Sequence, residues 1–314
     1  MKPLRALLHS LVAVTLAACC SPAAGRSVNA FYIGHSLISD IPDMLKSIAD
    51  SAPATKFTFM EQFIPGAPLR WQWDKVAEFE GEPTYRVRFD EALATGRYDT
   101  LVVTDGVPRG GKELEAETAD YLARFANAAR KHNPSTRVFY YETWHHVTSG
   151  TPDNSPYDTA SPRRTLRWRE RLDADRPMWE AIVASANRQA PAGPGAPPIR
   201  IIPAGQALAR FDDAVRAGKV PGFTDTRSFF DDDIHLNHNG QYLVACVHYA
   251  VLFGKSPVGL SFDVKDRWGR DYWDRPGWDG KIWKRPDPSA VRIMQEIAWS
   301  TVAGHPHTGI PAAK

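Results

Sequence analysis

Val28-Asn29-Ala30-Phe31-Tyr32-Ile33-Gly34-His35-Ser36 is the stretch on which the reading of this chain turns. Its first six residues are largely apolar, of strand length, and rich in the β-branched and aromatic types that suit a buried strand. They run directly into a glycine and two polar residues, so a hydroxyl is delivered where the strand ends. Four more strand-like runs follow, at Phe57–Ile64, Thr100–Val103, Arg137–Tyr141 and Ile199–Ile202. Helix-like stretches fall between and after them, at Pro42–Asp50, Leu114–Lys131, Asp175–Arg188, Gln206–Arg216 and Gln241–Phe253. Strands alternating with helices predict an α/β fold, a parallel sheet with helices on both faces in three α/β/α layers. In such sheets ligands sit beyond the carboxyl ends of the strands, which is where Ser36, Gly66 and Thr104 would all lie.

A second stretch, Asp232-Asp233-Ile234-His235-Leu236-Asn237, supplies what Ser36 lacks. A serine hydroxyl is a weak nucleophile until an adjacent base takes its proton, and histidine has the resting pKa for that work. An Asp three residues before the His can turn back within one local turn and accept from Nδ1, fixing the tautomer and stabilising the imidazolium. Asp232 has that spacing, while Asp231 and Asp233 compete with it on spacing alone. The order Ser, Asp, His is one of several chain orders that build the same constellation.

Gly34-His35-Ser36 together with Asp232-x-x-His235 resembles the SGNH, or GDSL-type, hydrolase superfamily, in its bacterial secreted and lipoprotein branch. The continuation His235-Leu236-Asn237, then Gly240-Gln241-Tyr242-Leu243, resembles that family's passage into its last helix. The resemblance spans roughly Asn29 to Pro257 and implies a flavodoxin-like sheet and a Ser36–His235–Asp232 triad. It also implies an oxyanion hole built from the backbone N–H of Ser36 and of Gly66, in Ile64-Pro65-Gly66-Ala67-Pro68-Leu69. The family's third motif normally adds an Asn side chain. Here the strand from Tyr98 to Val103 leads into Thr104-Asp105-Gly106-Val107-Pro108, which has no Asn. An ionised Asp105 cannot donate, so Thr104 or a backbone N–H is expected to serve instead; one missing donor typically raises a barrier by a few kcal/mol.

The chain opens with Lys2 and Arg5 before an apolar run from Ala6 to Ala18, too short and interrupted to span a bilayer and shaped like an export signal. Leu16-Ala17-Ala18-Cys19 resembles a bacterial lipobox, which implies a signal peptide with lipobox over residues 1–19, in which Cys19 is acylated and becomes the mature N-terminus. The protein is therefore expected in the cell envelope, touching the membrane only through a lipid anchor. Loss of Lys2 and Arg5 takes the formal net charge from +2 to zero. A near-neutral body argues against nucleic acid as a partner. Arg163, Arg164, Arg167, Arg169 and Arg171 alternate with Glu170 and Asp173 and read as a solvated helix face. Three cysteines make no disulfide framework, and Cys246 reads as a small buried hydrophobe.

The domain expected over residues 27–260 carries two additions. One is an insertion around 144–172, beginning at Trp144-His145-His146. The other is a Trp-rich extension over 261–314 packed on the same domain, in which Trp268, Trp273, Trp278 and Trp283 recur every five residues. That period fits neither helix nor strand and predicts a loop or wrapped arm. Ala190 to Pro198 reads as a loop within the domain. Trp71, Trp73, Trp144 and His145 are the candidates for substrate contact, because aromatic faces suit sugar rings. His146 neighbours His145, and at most one of an adjacent pair faces the site. The dense set Asp231, Asp232, Asp233, His235 and His238 could suggest a metal, but no recognised ligand spacing is present; no metal and no cofactor are expected. The chemistry read from these residues is hydrolysis of a short acyl ester, acetyl above all, on a small molecule or an acylated glycan. An acyltransferase, or a glycan-binding lipoprotein that does not hydrolyse, are the alternatives on the same fold.

Overall fold

A computed structural model describes residues 26–76, 87–107, 110–156, 158 and 161–311. Five parallel strands form one sheet: β1 (Arg26–Gly34), β2 (Thr55–Phe63), β3 (Thr100–Val103), β4 (Arg137–Glu142) and β5 (Arg200–Pro203). Their spatial order is β2-β1-β3-β4-β5, so the protein has the flavodoxin-like three-layer architecture.

The near-continuous apolar character of β1 follows from burial on both faces. Ala30 and Tyr32 belong to one core cluster, Phe31 and Ile33 to the other. The first cluster lies under α1 (Ile41–Ser51), α6 (Ala204–Arg216), α7 (His238–Phe253) and α8 (Pro288–Ala303). The second lies under α2 (Leu69–Asp74), α3 (Phe89–Ala94), α4 (Lys112–His132) and most of α5 (Trp168–Gln189). All sixteen residues of α7 are buried, because α1, α6 and α8 flank it. A helix apolar all round belongs in a core.

Three details depart from the sequence reading. The stretch 261–314 is not all irregular: Pro288–Ala303 within it forms α8, which buries Val291, Met294, Ala298 and Val302 against the first cluster. The helices α2 and α3 are six residues each, too short to carry a readable period. Arg171 is not on a solvated face. It is fully buried, paired with Asp158 and with Asp175 at 3.3 Å, and it donates to Ser149 Oγ at 2.9 Å. That guanidinium ties the insertion to α5. Cys19 lies outside the described residues; Cys246 is a buried free thiol in α7. No helix among the described residues is long and apolar enough to cross a membrane.

Candidate active site

The strand order reverses at β1, between β2 on one side and β3 on the other, and a crevice opens at the carboxyl ends there. β1 ends at Gly34, where a Cβ would come within 2.7 Å of Thr104 Cγ2 and 2.8 Å of Ile38 Cγ2. The close approach of the β1 and β3 loops therefore requires glycine at this position. His35 lies behind the turn: its Nε2 donates to the Asp105 carbonyl at 2.8 Å and its Nδ1 accepts from Leu37 N at 3.4 Å. Burial lowers its pKa below the usual histidine value, so the ring is a neutral staple. Ser36 then opens a short 3-10 turn with its hydroxyl partly exposed in the crevice.

His235 arrives from the other end of the chain, on a pinched loop before α7. Phe230 and Leu236 form an antiparallel bridge, and Asp231 N donates to the His235 carbonyl at 2.8 Å. Asn237 caps α7, its Oδ1 accepting from Asn239 N at 3.0 Å and Gly240 N at 3.2 Å. The loop so held brings His235 Nε2 to 2.9 Å from Ser36 Oγ and His235 Nδ1 to 2.7 Å from Asp232 Oδ2. Burial would raise the Asp232 pKa, but hydrogen bonds from the His235 ring and from the backbone N–H of His235 and Ile234 outweigh it and hold the carboxyl at about 2. With an ionised acceptor on Nδ1–H, Nε2 is left to accept from the serine hydroxyl.

The neighbouring aspartates diverge. Asp233 accepts from Thr148 N at 2.9 Å, Thr148 Oγ1 at 2.6 Å and Arg227 Nη2 at 3.1 Å, which fastens the loop to the insertion. Asp231 accepts from Trp278 N at 2.7 Å and from Trp283 Nε1, and burial pushes its carboxyl up to about 6. Trp144 contributes from below, donating Nε1–H to the Ile234 carbonyl at 2.7 Å. Trp144 also lines a narrow crevice with Ser36, Leu37, His235, Gln241 and Trp278.

Several candidates have other roles. Thr104 is not an oxyanion donor: its hydroxyl donates to the Tyr141 carbonyl at 2.9 Å and its N–H to the Ile33 carbonyl at 3.0 Å. Asp105 accepts from Leu69 N and Gly106 N, both at 2.8 Å, and from the Thr118 hydroxyl. A carboxylate thus stands at the third motif because the loop needs an acceptor there. Trp73 is not a substrate platform, being packed on Phe89 and Phe125 at ring distances of 4.8 and 5.0 Å against the second core cluster. His145 is buried away from the crevice, bonded through Nε2 to the Trp168 carbonyl at 3.1 Å and facing Asp175. Burial lowers the pKa of its neighbour His146 below the usual histidine value. Trp71 is exposed on α2 with the Lys75 ammonium over its ring. Gly66 has φ +64° and nothing within 4 Å of where a Cβ would stand, so glycine is needed there for its backbone conformation and not for space. Among the described residues, neither the Ser36 nor the Gly66 N–H donates to a protein group.

The sequence reading did not find Trp278. Its indole lies flat on the His235 imidazole, ring centroids 4.6 Å apart and planes 15° from parallel. A period of five marks the tryptophans without saying which one meets the histidine. Trp278 also lines a cavity of about 370 Å³ together with Ser39, Asp40, Phe63, His238 and Arg275.

Comparison with known proteins bears on the fold. No family model matches the chain, and no curated protein matches it. Among solved structures, a DUF4886 family protein from Bacteroides uniformis is 16% identical with a TM-score of 0.57, covering 88% of this chain and 95% of that one. The chain shares the fold of that protein. Two further structures align more loosely. A GDSL-like lipase of Parabacteroides merdae is 15% identical with a TM-score of 0.42, covering 74% of this chain and 98% of its own. A family 3 carbohydrate esterase of Talaromyces cellulolyticus is 14% identical with a TM-score of 0.41, covering 72% and 97%.

Proposed function

We propose that the protein is a serine esterase that removes short acyl groups, acetyl above all, from carbohydrate. The observation that carries this reading is the unbroken chain Ser36 Oγ–His235 Nε2–Asp232, at 2.9 and 2.7 Å in a partly open crevice. A nucleophile bonded to a base, and the base to an orienting carboxylate, is the arrangement acyl transfer needs. In the reaction Ser36 Oγ attacks the ester carbonyl carbon while His235 Nε2 takes its proton. The backbone N–H groups of Ser36 and Gly66 stabilise the oxyanion. Collapse expels the alcohol, which takes the proton from His235 and leaves an acyl-serine. Water then attacks that acyl group with His235 as base, and a second collapse releases the acid and restores Ser36.

The carbohydrate part is supported by the cavity beside the crevice, which offers two aromatic faces, Phe63 and Trp278, with polar groups from Ser39, Asp40 and Arg275. His238 lines the same cavity. The leader and the Cys19 lipobox support export and anchoring in the cell envelope.

The test is hydrolysis of p-nitrophenyl acetate by the protein and by Ser36→Ala. Turnover that falls by roughly 10⁴-fold or more in the variant is the expected result. Equal background rates in both would sink the esterase and leave glycan binding as the reading. Release of acid without acylated acceptor, measured with an alcohol present, separates hydrolysis from acyl transfer.

A further inference from the structure

The arm around Trp278 is fastened at two places. At its base it is pinned to α1. Lys265 exchanges hydrogen bonds with Ser47 at 2.9 and 3.1 Å, Arg267 Nε donates to Asp43 at 2.8 Å, and Tyr272 OH donates to Asp40 at 2.9 Å. At its tip it is latched to the catalytic loop by the two bonds into Asp231, from Trp278 N and Trp283 Nε1. Gly277 makes the latch possible, since a Cβ there would collide with both Asp231 oxygens. Trp278 stays about half exposed, so it is not seated as a core residue.

The bonds to the imidazole explain why a ring is placed there. One hydrogen bond joins Asp232 to Nδ1, and the imidazole can rock about that axis. The Ser36 hydroxyl restrains the other end only until it is acylated, because an ester oxygen has no proton to give Nε2. From then until water attacks, the flat contact with Trp278 is what keeps Nε2 aimed.

We propose that Trp278 is a positioning residue for His235, held against it by the Asp231–Gly277 latch. It keeps the imidazole aligned through deacylation and presents a π face to the imidazolium formed in each half-reaction. The inference rests on Ser36, His235 and Asp232 being a working triad. A cation on an indole face is worth a factor of about 3 to 30 in rate.

The experiment compares the full chain with Trp278→Leu, Trp278→Phe and Gly277→Ala, using p-nitrophenyl acetate, a substrate too small to need the neighbouring cavity. The expected results are a 3- to 30-fold lower kcat in Trp278→Leu with KM changed less, and substantial rescue in Trp278→Phe. A pre-steady-state burst, or a larger one, should mark slowed deacylation. Gly277→Ala should resemble Trp278→Leu, and the double variant should lose little more. Leu equal to wild type, or Leu and Phe equally impaired with lowered melting temperatures, would overturn the proposal. If the wild type hydrolyses nothing, the esterase reading fails by itself, and the ring contact is read by NMR. Upfield His235 ring protons that relax in Trp278→Leu would support the orienting contact, and their absence would overturn it.

Discussion

Asp231, Asp232 and Asp233 are the same residue three times, yet one accepts from the arm, one from His235 and one from Thr148. Spacing within Asp-Asp-Asp-Ile-His could not separate them. What does is the pinch between Phe230 and Leu236, which points successive side chains to different neighbours, a long-range fact absent from the local sequence. Substitution should therefore read out three different ways. Asp232→Asn should cost about 10³- to 10⁴-fold in kcat, as loss of the orienting carboxylate does in other triads, with little change in melting temperature. Asp233→Ala should lower stability by about 1–3 kcal/mol, since it unpairs Thr148 and Arg227, and reduce kcat far less. Equal kinetic losses for the two would contradict the assignment. Thr104 makes a parallel case. Removing a true oxyanion donor costs about 10²- to 10³-fold, whereas Thr104→Val should cost about 1–2 kcal/mol of stability through the orphaned Tyr141 carbonyl and under tenfold in kcat. Steady-state kinetics beside thermal melts distinguish these outcomes.

At the scale of elements, the five strands and the longer helices were readable because each carries its own period or apolar run. The Ser36 and Asp232–His235 motifs were readable because each sits at an element's end. Less was legible where an element depends on a partner. The Asp287–Pro288 pair is a sound start signal for α8, with Asp287 Oδ1 accepting from Ser289 N at 2.8 Å, but it follows a loop whose tryptophans dominate the pattern. The end of β4 shows the same dependence. Glu142 is buried there, its Oε2 accepting from Gln206 Nε2 at 2.9 Å, and burial raises its pKa from 4.5 to about 8. A carboxyl that binds its proton more tightly when folded stabilises the protein at low pH, and that contribution drains away as pH climbs from about 4.5 through 8. Above this window the folded chain must hold a buried charge near Glu180 and Asp175. Glu142→Gln keeps an acceptor for Gln206 and carries no charge, so its melting temperature should fall less than that of the wild type between pH 6 and pH 9. Parallel curves for the two proteins would show that Glu142 is not the titrating group.

For the whole molecule, the extension beyond residue 260 does two jobs that its sequence suggests only loosely. Its arm reaches the active face, and its helix closes the core. The second job follows from α7: a helix buried on every side must be covered on every side, and the α1 and α6 flanks leave one stripe for α8. Met294, fully buried in that stripe, touches none of the triad's hydrogen-bonding groups. Met294→Ala should therefore destabilise the protein by about 2–5 kcal/mol, the usual range for emptying a buried Met site, while kcat measured well below the melting transition stays within about twofold of wild type. The contrast with Trp278→Leu is the informative part, since both variants remove a large apolar side chain from the same extension. If α8 serves stability and the arm serves chemistry, the two variants will fall on opposite axes of a plot of melting temperature against kcat. A Met294→Ala protein that keeps its melting temperature would mean that α8 is not a working wall of the core, and α7 would then have to be stable with one face bare.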